Sequence, residues 1–317
     1  MIFRGPFFIL ILLLTFQVSA APALEWWAAS ATDVMQAPCK TQRPPSPDSI
    51  LTALQGSGLL VTKKVNGITF KNEKADLVQF FTDLHKLDLS LRDKPELNFS
   101  SNCDKVLCAV KEIYGNTEGP QLLYLLKTFG FNGSHLRSKY ASAWHSDELN
   151  EILQALFDYP LSLYPVSYNK RLVHFTRGMG FGPMVIANAS IEIFDPWNDL
   201  SFPERQQTFL HELGHTLSYK SKLDVSEEWL KVAGWKAYKA QKNKISYTQY
   251  QLIDPSKAVS EYGMENPSED FAETVVAYRF TGAKLKTHQP HKYSFMKNKV
   301  FYGQEYLPET QCSLSFR

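Results

Sequence analysis

Residues 201–221 read SFPERQQTFLHELGHTLSYKS, and this stretch decides how the rest of the chain is read. Ser201 with Glu204 three residues on is a capping-box pair, and Pro203 is tolerated in a first helical turn, so a helix opens here. Phe209, Leu210, Leu213 and Leu217 continue the helical pattern. On that helix His211 and His215, four apart, share a face, so both imidazoles can reach one metal ion. Glu212, one step round, then faces the open coordination position. Neutral imidazole nitrogen suits Zn²⁺.

A third ligand is sought downstream, in Val259–Glu273, VSEYGMENPSEDFAE. Asn266 as N-cap with Pro267 at the first helical position predicts a second helix, on which Glu269 and Glu273 share a face. Two accounts stay open from these residues alone. The pair serves a metal site with the two histidines, or Glu269 completes a cap and Glu273 is solvated, as first-turn carboxylates often are.

HELGH followed by a helix carrying glutamate resembles the gluzincin zinc metallopeptidases, of which thermolysin is one. Tyr262 seven residues before Glu269, with Glu269-Asp270-Phe271-Ala272-Glu273, is similar more narrowly to the group of anthrax lethal factor and the bacterial Pro-Pro endopeptidases. The resemblance covers about 100 residues, from near 171 to near Gly282. It implies Glu269 as the third zinc ligand, Glu273 as the support of a ligand histidine, and Tyr262 facing the reaction centre. The thermolysin pattern ends in Asp where this chain has Glu273, which favours the lethal-factor-like comparison. A three-histidine metzincin site is excluded, because Ser218 and Ser221 stand where that pattern needs Gly and His. Residues between His215 and Glu269, with Trp229 and Trp235, read as extra helical material that reshapes the cleft.

The function that the resemblance implies is an exported zinc-dependent endopeptidase acting on a protein or peptide, with one catalytic Zn²⁺. Glu212 would serve as general base and then hand the proton to the leaving amine. Tyr262 would donate to the developing oxyanion, and Glu273 would orient His211 or His215. Two further functions stay open: a cell-wall peptide amidase using the same chemistry, and a non-catalytic binding protein on a metallopeptidase-like fold.

Working outward, Arg171–Thr176 and Pro183–Phe194 alternate as half-buried strands do, joined through Gly178–Gly182. The second offers an edge for an extended substrate, or is an internal strand. Residues 22–48, with Pro38, Pro44, Pro45 and Pro47 among them, read as an extended leader. Asn66-Gly67 within Leu59–Phe70 signals a hairpin. Ala75–Leu91, Asp104–Tyr114, Pro120–Phe129 and Asp147–Phe157, the last capped by Ser146, have helical spacing. His85, His135 and His145 there have no spaced partner. The fold class is α+β: a zincin-like metallopeptidase domain at 159–317, with a small sheet, an active-site helix and a helical lower half, after a mostly helical N-terminal domain at 22–158.

Met1–Ala21 has Arg4, a short apolar run Phe7–Phe16 and the small residues Val18-Ser19-Ala20, the pattern of a cleaved signal peptide. A run of about ten residues makes about 15 Å of helix, short of a bilayer core of about 30 Å, so no stable membrane anchor is expected after cleavage. The product is exported, periplasmic or secreted. Cys39, Cys103, Cys108 and Cys312 lack zinc-site spacing and read as disulfides, with Cys103–Cys108 and Cys39–Cys312 the preferred pairing. The chain has 317 residues, 34 Lys+Arg against 32 Asp+Glu and 44% hydrophobic residues. That near-neutral balance excludes a nucleic-acid partner, which needs concentrated positive charge, and the composition excludes a disordered chain.

Overall fold

Two sheets and ten helices organise the residues described in the computed structural model, which are 29–39, 45–56, 106–133, 142–160, 163–164, 173–178, 180, 185–187 and 190–308. The helices are α1 (Ala31–Met35), α2 (Pro47–Gly56), α3 (Val106–Tyr114), α4 (Glu118–Tyr124), α5 (Ser146–Phe157), α6 (Phe202–Ser221), α7 (Glu227–Ala233), α8 (Pro267–Phe280), α9 (Gly282–His288) and α10 (Pro290–Phe295). The strands are β1 (Phe131–Asn132), β2 (Val173–Arg177), β3 (Val185–Ala187), β4 (Ser190–Ile193), β5 (Trp235–Lys242) and β6 (Ile245–Leu252). The class is α+β. The hairpin expected at Leu59–Phe70 and the helix expected at Ala75–Leu91 lie outside the described residues, as does Met1–Ala21.

The first sheet has the order β1-β2-β4-β3, with β1, β2 and β4 parallel and β3 antiparallel to β4. The run Pro183–Phe194, expected as one strand, is therefore two. Val185 pairs with Glu192 and Ala187 with Ser190, antiparallel. β4 is internal and only β3 carries that sheet edge. The sheet packs on α6 through aromatic rings: Phe175 of β2 lies 5.8 Å from Phe209 of α6 and 5.9 Å from Phe131 of β1, and Trp144 stacks on Phe175 at 4.5 Å.

Three further expectations are corrected. Residues 22–48 are not simply extended, since Ser30 and Asp33 form a capping box that starts α1. His145, not Ser146, is the N-cap of α5; its backbone N–H donates to Glu148 at 3.1 Å. The material between α6 and α8 is only partly helical. Trp229 lies on the short α7, but Trp235 begins a long antiparallel hairpin, β5–β6, whose turn residues Asn243 and Lys244 have φ of 52° and 65°. Positive φ at both turn positions is the geometry that suits the twist of two-residue hairpins. Gly234, at φ 77°, ends α7 and lets the chain turn directly into β5.

The core is one cluster from Val34 to Leu307. Contacts cross residue 158 in several places: β1 pairs with β2, and the buried Arg279 of α8 donates to the Pro38 carbonyl at 2.9 Å and faces Asp158. Neither Cys39 nor Cys108 is a free thiol; Cys103 and Cys312, which complete the expected pairing, lie outside the described residues. No helix among the described residues is long and apolar enough to cross a membrane.

Candidate metal centre and active site

Two helix starts build the site. Ser201 caps α6, its backbone N–H donating to Glu204 at 2.6 Å, which sets the register of His211, Glu212 and His215. Asn266 caps α8, its side chain accepting from the N–H groups of Ser268 and Glu269 at 3.0 and 3.1 Å. That fixes Glu269 in the first turn, pointing back at α6. The helices approach closely because residue 214 has no side chain. A Cβ on Gly214 would lie 3.0 Å from Ala272 Cα.

His211 Nε2 and His215 Nε2 lie 3.1 and 3.0 Å from the same oxygen, Glu269 Oε2. One ligand atom from each of the three residues falls within 4.8 Å of the others. The opposite ring nitrogens are also occupied. His211 Nδ1 meets Glu273 Oε1 at 2.7 Å, and His215 Nδ1 meets Ser268 Oγ at 3.1 Å. Placing each ring proton on Nδ1 lets both donate outward and leaves both Nε2 lone pairs aimed at one place. Ser268 in turn hydrogen-bonds the buried Asp224, which sits just after α6.

The electrostatics favour positive charge at that place. Burial opposes protonation of His211, but Glu269 and Glu273 outweigh it and raise the imidazole to about 9. Burial likewise opposes ionisation of Glu269, yet hydrogen bonds from His211 and His215 hold it down to about 2. Three carboxylates surround two imidazoles, so with neutral rings the cluster is strongly anionic. Two imidazole nitrogens, a carboxylate oxygen and that negative field can together hold a divalent cation.

Glu212 is 7% exposed, and its Oε2 is buried without a hydrogen-bond partner among the described residues. Burial, opposed by the histidines, raises its carboxyl to about 7. Such a group takes up and gives back a proton near neutral pH. Comparison with protein-family models, with curated proteins and with solved structures finds no match.

Tyr262 stands across the cleft, half exposed, its ring centroid 5.7 Å from that of His211. Burial, then the charges of Glu269, Glu265 and Glu212, raise its hydroxyl to about 12, so it stays protonated and able to donate. The cleft beside it has a volume of about 280 Å³ and is lined by His211, Glu212, Tyr262, Glu273, Gln207 and Ala29. Gln207 donates to the Ala29 carbonyl at 2.9 Å, so the segment leading into α1 forms one wall.

All six residues singled out in the sequence, His211, Glu212, His215, Tyr262, Glu269 and Glu273, meet at this site. His145 lies apart, as a helix cap; His85 and His135 are outside the described residues. Sequence reasoning missed Ser268, Asp224 and the Ala29 wall. Ser268 had a signal, being adjacent to Glu269 in a first turn. Asp224 and Ala29 had none, since nothing in their spacing relates them to α6.

Proposed function

We propose that this chain is an exported zinc-dependent endopeptidase of the gluzincin type, with a zincin-like catalytic domain beginning near residue 159. One observation carries the reading: two Nε2 atoms and a carboxylate oxygen converge, while the other ring nitrogens are turned to Glu273 and Ser268. A structural cap for Glu269 would require none of this. His211, His215 and Glu269 would hold the ion, and three protein ligands are the number used by catalytic zinc sites. Zinc bound there would supply Lewis acidity toward a water and a carbonyl.

The chain's own residues do the rest. Glu212, with a free buried oxygen, takes a proton from the attacking water and returns it to the leaving amine, a role worth about 10² to 10⁴ in rate. Tyr262 donates its hydroxyl to the carbonyl oxygen as charge develops there, for which losing one donor costs about 10² to 10³. The substrate is a protein or peptide, laid in extended form along the β3 edge. The leader Met1–Ala21 supports export to a periplasm or beyond.

Residues 22–317 and the Glu212→Ala variant, each incubated with a proteome-derived peptide library, test this by mass spectrometry of new termini. Cleavage by the wild type alone is expected, with zinc retained by Glu212→Ala and lost from His211→Ala. Undiminished cleavage by Glu212→Ala removes the assigned base. Cleavage by neither protein removes the peptidase.

A further inference from the structure

The β5–β6 hairpin has no part in the chemistry above, yet most of its residues are exposed. Its eight pairs run from Trp235–Leu252 at the base to Lys242–Ile245 at the tip, and only the base is buried. Directly paired residues share a face, so one face carries Lys236, Tyr238 and Lys242 on β5 with Ile245 and Tyr247 on β6. Tyr238, Ile245 and Tyr247 are 44%, 68% and 37% exposed. The apolar residues are thus gathered on one side and toward the end of the ribbon.

Charge is gathered there too. From Trp235 to Ile253 the chain has Lys236, Lys239, Lys242 and Lys244 and no acidic residue. The whole chain carries +2, so four positive charges on the hairpin leave −2 for everything else. Lys239 donates to Thr248 at 3.0 Å across the ribbon, but no salt bridge joins Lys236, Lys242 or Lys244 to a carboxylate among the described residues.

We propose that the hairpin tip docks the protein reversibly on an anionic phospholipid surface. Lysines at Lys236, Lys242 and Lys244 meet lipid phosphates, and Ile245, with Tyr238 and Tyr247 behind it, enters the boundary between headgroups and acyl chains. The shape and chemistry select this occupant. A projecting wedge tipped by an aliphatic residue gains by burial in hydrocarbon, which a polymeric anion does not offer. Three lysines along β5 and Lys244 at the turn disfavour strand pairing on the β5 edge, and pairing with a second copy adds like charge to like. The inference does not depend on what the cleft hydrolyses.

Co-sedimentation with vesicles tests it, using residues 22–317 so that the Phe7–Phe16 run contributes nothing. The wild type should sediment with phosphatidylcholine–phosphatidylglycerol vesicles and not with phosphatidylcholine alone. Each of Lys236→Gln, Lys242→Gln and Lys244→Gln should weaken binding about five-fold at low salt, an effect that 1 M salt removes. Ile245→Ser should weaken binding at either salt concentration. These positions are exposed, so unchanged melting by circular dichroism confirms that the variants fold. Absence of wild-type binding to the anionic vesicles, or equal binding by wild type and the combined lysine variant, overturns the proposal. So does loss of a sedimentation-velocity dimer in that variant without any change in vesicle binding, which would identify a second copy as the occupant.

Discussion

An ionised Glu212 is held in the protein against its own solvation. Its carboxyl titrates near 7 in the folded state against 4.5 without the fold, so the folded chain prefers it protonated. The stabilising contribution is full below about pH 4.5 and is lost as pH rises through 7. In chelator-treated protein, Glu212→Gln should therefore melt like the wild type near pH 4. Near pH 8 it should be more stable, by up to about 3 kcal/mol in a urea titration. Equal stability at both values would show that the carboxyl is not strained. The outward partners of the imidazoles act differently. Glu273→Ala and Ser268→Ala should each weaken zinc binding about 10- to 100-fold in a competition titration. Glu269→Ala should weaken it far more; the opposite order would mean that the ligand and its support are exchanged. At this scale the sequence was legible wherever residues belong to one helical repeat. Asp224 reaches Ser268 only through the packing of two elements, which no spacing records.

Helices α6 and α8 are the elements on which the site depends, and Gly214 sets the distance between them. Adding a methyl group there puts it against the Ala272 backbone at 3.0 Å, a contact that only helix displacement relieves. Gly214→Ala should cost about 1 to 3 kcal/mol in stability and also weaken zinc binding, because it separates Glu269 from both histidines. Loss of stability with unchanged zinc affinity would mean that the helices yield elsewhere. The starts of both helices were readable, since each begins with a cap whose side chain is local to it. The β5–β6 hairpin was not. Asn243-Lys244 is a weak turn signal beside Asn-Gly, and the stretch with Trp229 and Trp235 reads as helical material. Trp235 does pack, but as the first residue of a strand, with its indole N–H donating to Asp270 at 3.0 Å. The split of Pro183–Phe194 escaped for a similar reason, as continuous alternation conceals where a strand reverses.

Across the whole molecule, buried charges tie distant segments together. Lys292 of α10 and Asp270 of α8 are fully buried and 2.5 Å apart, with Lys292 also 5.1 Å from the Trp229 ring. Burial raises the Asp270 carboxyl and lowers the Lys292 amine, each opposed by its partner. Lys292→Ala leaves that buried carboxylate without its counter-ion and should cost about 3 to 5 kcal/mol in denaturant unfolding. A cost under about 1 kcal/mol would mean that the pair is neutral in the folded protein. Such ties were invisible in the sequence, because Asp270 and Lys292 belong to different helices and no spacing relates them. One property of the site follows from its place along the chain. His211 and Glu269 are 58 residues apart. A ribosome that has released the chain as far as Val259 has made both imidazoles and Glu212 but neither Glu269 nor Glu273. Until α8 is synthesised and docked, no cation is held and no cleft is closed, so the proposed hydrolase stays silent through most of its own synthesis, a timing set by chain order alone.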